Sequence, residues 1–170
     1  MNDFNQRYLN FAKPFVDALK EVYSTMLEAA LEPGKPEIKK GRMSLGACTS
    51  IMTMNGYFEA EGESRRFKGT FILSWPEESY LKIAGAMLGE TFTEINEEIE
   101  DVGGEITNIT MGNAKKVLNP AGYKIEMSIP TIIIGKADKI PSPDEKVTTI
   151  TIPFQGPLGE VNMELNYADD

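Results

Sequence analysis

The sequence predicts an α+β layered domain, with three helices packed on a largely antiparallel sheet of about six strands. Three observations carry this. Apolar residues recur at three- and four-residue steps in three stretches. In others they alternate. Between the alternating stretches lie tight-turn signals, which demand antiparallel pairing. A length of 170 residues, with 41% apolar and 25% charged residues, suits a single domain spanning 1–170 that can bury a real core.

In the first helix, Phe11, Phe15, Ala18, Val22, Met26 and Ala30 form one buried stripe, and Pro33-Gly34 stops it. Residues Met43 to Met54 and Gly56 to Glu61 read as two strands joined by a tight turn at Asn55-Gly56. Phe67 to Leu73 reads as a third strand, with Glu63-Ser64-Arg65-Arg66 as a hairpin tip before it. Ser74 and Glu77 form a capping box that opens the second helix, where Leu81, Ala84, Met87 and Leu88 face inward and Gly89 ends it. A third helix runs from near Thr93 to about Lys116, bent or weakened at Gly103-Gly104 and ended by Asn119-Pro120. Tyr123 to Ile134 is extended, with Pro130 as a bulge or edge point, and Pro141 to Asp144 is a turn. Ile150, Ile152 and Phe154 alternate on one strand, and Val161, Met163 and Leu165 on another.

Composition narrows the function. The 17 basic and 26 acidic residues give a net charge of −9, which disfavours nucleic acid and anionic membrane surfaces as partners. The chain has no histidine, which excludes Ser-His and Cys-His nucleophile pairs, imidazole proton shuttles and His-bearing zinc sites. The single cysteine, Cys48, cannot form an internal disulfide and sits in an apolar strand as a core residue. The opening residues lack a signal-peptide pattern, and the longest weakly polar stretch, Met43 to Met54, is too short to cross a bilayer. The expectation is a cytoplasmic protein. The acidic run Glu94, Glu97, Glu98, Glu100 and Asp101 reads as a solvated helix N-terminus rather than a metal cluster.

On the third helix, Ile99, Val102, Ile106, Ile109 and Val117 mark the buried stripe. Glu105, Asn108 and Gly112 lie three and four apart beside it, and so share a near-surface face. A carboxylate and an amide there point into whatever docks, and the glycine leaves bare backbone for close approach. Lys115, in the last turn, suits both the helix dipole and contact with a partner. The first helix carries a fainter version of the pattern, Glu21-Val22-Tyr23-Ser24.

The stretch from Gly104 to Lys115, GEITNITMGNAK, resembles the E-x-x-N-x-x-x-G signature of the CheC/CheX/FliY family of chemotaxis phosphatases. The strand Gly69 to Ser74 with the helix ending Gly85 to Gly89 resembles that family's strand-helix unit, and Pro130 to Gly135 resembles its strand after the signature helix. The first helix and the PGKP segment at Pro33 to Pro36 look like the CheX subgroup, so the likeness runs from about Phe11 to Tyr167.

The resemblance implies a CheC-like domain that dephosphorylates a phospho-aspartyl response regulator of the CheY type. It implies that Glu105 pairs with the regulator's lysine and Asn108 orients the attacking water, with Gly112 and Lys115 against the partner. The Mg²⁺ would belong to the regulator, and this chain would need no cofactor of its own. The first-helix copy has Ser24 in place of asparagine, which favours the one-site CheX type and its homodimer. The chemistry tolerates the missing histidine, because phosphoryl transfer needs positioning and charge stabilisation more than acid–base work. The rival is a non-catalytic module of the same fold that tethers a regulator or a flagellar-switch component. The amide at Asn108 speaks against it, since a tether has no water to position.

Overall fold

The computed structural model describes residues 3–140 and 147–169. Among them are the helices α1 (Asp3–Met26), α2 (Glu77–Leu88) and α3 (Val102–Leu118). The strands are β1 (Glu32–Pro33), β2 (Glu37–Ile38), β3 (Cys48–Ala60), β4 (Glu63–Trp75), β5 (Tyr123–Met127), β6 (Thr131–Ile134), β7 (Thr149–Gln155) and β8 (Val161–Asp169). They form one sheet in the order β1-β7-β8-β4-β3-β5, with β2 also on β7 and β6 also on β3. Every pairing is antiparallel. The expected α+β class therefore stands. Two of its strands, β1 and β2, are two-residue pieces the sequence did not show.

Two long strands replace the three expected between 43 and 73. β3 runs straight through Asn55-Gly56, and the hairpin turns instead at Glu61-Gly62, both at positive φ (52° and 83°). Two successive positive φ values match the right-handed twist of the flanking strands. Gly56 serves close approach: a Cβ there would lie 1.9 Å from the Lys124 carbonyl oxygen on β5. Residues 63–66, expected as the hairpin tip, are the first four of β4.

α1 buries Phe11, Phe15, Ala18 and Val22 as expected, but ends seven residues before Pro33. Glu28 turns left-handed (φ 52°), and the N–H groups of Leu27 and Ala29 both reach the Tyr23 carbonyl. Ala30 thus lies outside the helix and exposed. α2 has no capping box. Pro76 holds the N-cap position without a side-chain bond, while Ser74 is buried on β4 with its hydroxyl 3.3 Å from that of Thr49. Its buried face is Ser79, Tyr80, Ile83 and Ala84; Leu88 is exposed. Gly89 does end it, at φ 70° with its N–H on the Gly85 carbonyl.

The helices cover one face of the sheet. Phe15 meets Phe71 in a tilted contact at 5.0 Å and Phe11 meets Phe67 edge-on at 6.1 Å, within one core that reaches Phe154, Met163 and Leu165. The expected alternation on the last two strands is the source of those inward residues. On the opposite face a small cluster of Ile51, Ile72 and Ile140 lies near a buried ion pair between Lys39 and Glu164. Burial pushes the Glu164 carboxyl up from its ordinary value, and the Lys39 ammonium opposes that shift. The turn expected at Pro141 to Asp144 lies outside the described residues.

Candidate functional site

The site is built on α3, which starts nine residues later than the periodicity suggested. The 97–101 segment is a run of turns, with the Asn96 side chain accepting the Glu98 N–H. Tyr80 of α2 fixes the point of entry. Its hydroxyl lies 2.7 Å from the Ile99 carbonyl and 2.9 Å from that of Glu100, and it accepts the Gly103 N–H. Gly103 and Gly104 therefore form the first turn rather than a mid-helix bend. A Cβ on Gly103 would sit 2.9 Å from the Trp75 ring and 3.0 Å from the Tyr80 ring; both rings are fully buried. The glycines let α3 start directly on this aromatic floor.

From there the helix buries Ile106, Thr107, Thr110, Met111, Ala114 and Leu118. Thr107 and Thr110 are satisfied locally, donating to the carbonyls of Gly103 and Ile106. Val102 and Ile106 are buried as expected, as is Ile99 just before the helix, and Ile109 is half-buried. Val117 is 59% exposed, because the inward position of that turn belongs to Leu118.

Glu105 and Asn108 are exposed on the outer face, about 5–6 Å apart at their Cβ atoms by helix geometry. Neither side chain has a partner among the described residues. Gly112 follows one turn on, with nothing within 4 Å of where a Cβ would lie. Lys115 is half-buried and borders a surface cavity of about 590 Å³ shared with Tyr57, Asn119, Lys124 and Glu126. The four expected site residues thus share one side of a single helix. A free carboxylate, a free amide and a stretch of bare backbone can together meet a cation, hold a water and admit another surface closely.

The remaining candidates have no such arrangement. Among the described residues no group of three or more Cys, Asp or Glu side chains is placed to hold a metal ion. Cys48 is fully buried and its thiol is pushed up to about 11, mainly by burial and further by the Glu100 charge, with its Tyr80 contact opposing; it is no nucleophile. Trp75 is packing, as expected, and donates its indole N–H to the Tyr23 hydroxyl at 2.9 Å. No helix among the described residues is long and apolar enough to cross a membrane.

This combination of sheet, helices and exposed α3 face is the CheC-like fold. A CheC-like superfamily protein from Shewanella sp. PV-4 superposes with a TM-score of 0.79 at 31% identity, covering 99% of both chains. The chemotaxis protein CheX from Vibrio vulnificus gives 0.78 at 31% identity over 94% of this chain and 99% of the other. The CheX of a CheX–CheY–BeF₃–Mg²⁺ complex from Borrelia burgdorferi gives 0.70 at 25% identity over 94% and 97%. No curated protein sequence matches. The family model described as chemotaxis phosphatase CheX matches residues 61–155, more than half of the chain. The chain belongs to the CheX family of chemotaxis phosphatases.

Proposed function

We propose that this chain removes the phosphoryl group from the aspartate of a CheY-type response regulator, with α3 inserted at the regulator's phosphorylation site. The observation that carries the reading is the pair Glu105 and Asn108, exposed and unpartnered in a family of phosphatases. Glu105 pairs with a lysine of the regulator and fixes the docked orientation. The Asn108 amide oxygen accepts a hydrogen bond from a water and so turns that water's lone pair toward phosphorus. Gly112 keeps the helix face low enough for contact, and Lys115 meets acidic surface at the far end of the stripe. The related Borrelia CheX is seen in a complex with CheY, BeF₃ and Mg²⁺, which supports a regulator as partner. Mg²⁺ in the regulator's own site offsets the phosphoryl charge.

The test is phosphate release from phosphorylated CheY-type regulators with and without this protein. Acceleration that vanishes in Asn108→Ala while binding persists supports catalysis. Binding without any acceleration would establish the non-catalytic tether instead.

The reading includes a homodimer with one site per chain. Its support is the likeness to the CheX subgroup. The late strands offer no open edge, because β8 lies inside the sheet and β7 is covered by β1 and β2. Light scattering should report about twice the 18.8 kDa chain mass.

A further inference from the structure

The strands β5 and β6 run along the flank of α3 where its buried and exposed faces meet, and both ends of that alignment are fixed. At one end Gly104, the neighbour of Glu105, has Ile132 and Pro130 atoms 3.2 and 3.4 Å from where its Cβ would be. At the other, Lys115 shares its surface cavity with Lys124 and Glu126. The segment between, Met127 to Ile129, is therefore level with the turns of α3 that carry Asn108 and Gly112. Met127 is 38% exposed and Ile129 is 85% exposed, the highest value for a large apolar side chain among the described residues.

This protrusion is built into the sheet. The Ser128 N–H donates to the Thr53 carbonyl at 2.9 Å, and the Ser128 hydroxyl accepts the Thr53 N–H at 3.0 Å. The same hydroxyl lies 3.1 Å from the Ile129 carbonyl and donates to it. A side chain thus takes the place of one backbone partner, the chain bulges between β5 and β6, and Ile129 is directed outward. A single exposed isoleucine means little by itself. One held next to a pair of unpartnered polar groups has a use. Exposed carboxylates and amides gain little net affinity in water, whereas an apolar side chain that enters a partner's pocket gains much more.

We infer that Ile129, with Met127 beside it, is a docking ledge for the phosphorylated regulator, seated on an apolar patch next to the regulator's phosphorylation site. The inference rests on the phosphatase reading above. In it α3 supplies the chemistry and the β5–β6 bulge supplies the hold, so the two are separable by mutation.

The experiment uses the full chain and a CheY-type regulator, phosphorylated for turnover and beryllofluoride-activated for binding. Ile129→Asp should raise KM and Kd about ten-fold and leave kcat within about two-fold, with Ile129→Leu restoring both. Because the side chain is exposed, the variant's melting temperature should match wild type. An unchanged Kd and KM in Ile129→Asp, with an active wild type, overturns the ledge and leaves the phosphatase reading intact. A fall in kcat at constant KM also overturns it. So does dissociation of a dimer at unchanged regulator affinity, which would make the ledge a contact between copies. A wild-type chain that neither binds nor accelerates overturns the phosphatase reading, and the ledge with it.

Discussion

α1 and α3 lie against each other on the same side of the sheet. Each presents a glutamate and, three residues on, a polar side chain: Glu21 and Ser24 in one, Glu105 and Asn108 in the other, all exposed. The inward positions also correspond, with Val22 and Tyr23 buried in α1 and Ile106 and Thr107 in α3. The divergence comes four residues later. Gly112 is helical and bare, six residues before α3 ends. Glu28, its counterpart, lies two residues past the end of α1 at φ 52° and carries a long exposed side chain. The docking face proposed for α3 therefore needs more than its two polar side chains. It needs helix continuing beneath them and nothing standing up in the next turn. α1 meets the first requirement only in part and the second not at all.

Substitutions at matched positions sharpen the contrast. The largest effect is expected at the amide: Asn108→Ala should lower accelerated dephosphorylation by about 10² or more with binding retained, while Ser24→Ala changes neither. Next comes charge reversal. Glu105→Lys should weaken binding of an activated regulator about ten-fold or more, since like charges would face each other in a partly dried interface; Glu21→Lys should leave the Kd unchanged. Titration calorimetry with each variant reads both. A smaller effect concerns how α3 is seated. Gly103→Ala forces a methyl against Trp75 and Tyr80, and denaturant melts should show a loss of about 1–3 kcal/mol. The corresponding feature of α1 is the Tyr23 hydroxyl. Its acidity is depressed, to a pKa of about 12, chiefly by burial and against the opposing Trp75 contact. The folded state thus holds a proton the unfolded chain releases from about pH 10 upward, so stability falls between pH 10 and 12. Tyr23→Phe should make the fall shallower in a plot of melting temperature against pH, with Tyr80, Tyr167 and Cys48 supplying the rest. The smallest effect should come from Ser24→Asn, which completes the polar pair on α1 without the helix beyond it. Turnover within about two-fold of wild type is expected, and a doubled or higher rate would break the comparison.

The parts of this molecule that were legible in the sequence are those set by local periodicity. The inward stripe of α1, the alternation of β7 and β8, the stop at Gly89 and the shared face of Glu105, Asn108 and Gly112 all follow from spacing along one element. The misreadings share a different cause. Asn55-Gly56 has the strongest short-range hairpin signal, yet Gly56 is glycine because β5, nearly seventy residues on, passes too close for a side chain. Ser74 looks like a cap, but Thr49 on the neighbouring strand claims its hydroxyl. Gly103 and Gly104 read as weak points in a long helix, whereas Trp75, Tyr80, Pro130 and Ile132 need them bare. Each depends on a partner distant in sequence, which no window of neighbours contains. Ile129 was missed for the same reason: its interest lies in sitting next to α3, and only the fold puts it there.

Trp75 is the chain's single tryptophan, with no solvent exposure, bonded to Tyr23 of α1 and in contact with Gly103 at the head of α3. Its fluorescence is therefore a built-in reporter of the seam where the two helices meet the sheet. The emission should be short-wavelength in the native chain and move to the red when that seam opens. A partner settling on the outer face of α3 leaves the indole's surroundings intact. A titration that leaves the spectral maximum of this indole in place while the complex forms would mean that the scaffold stays rigid beneath the site.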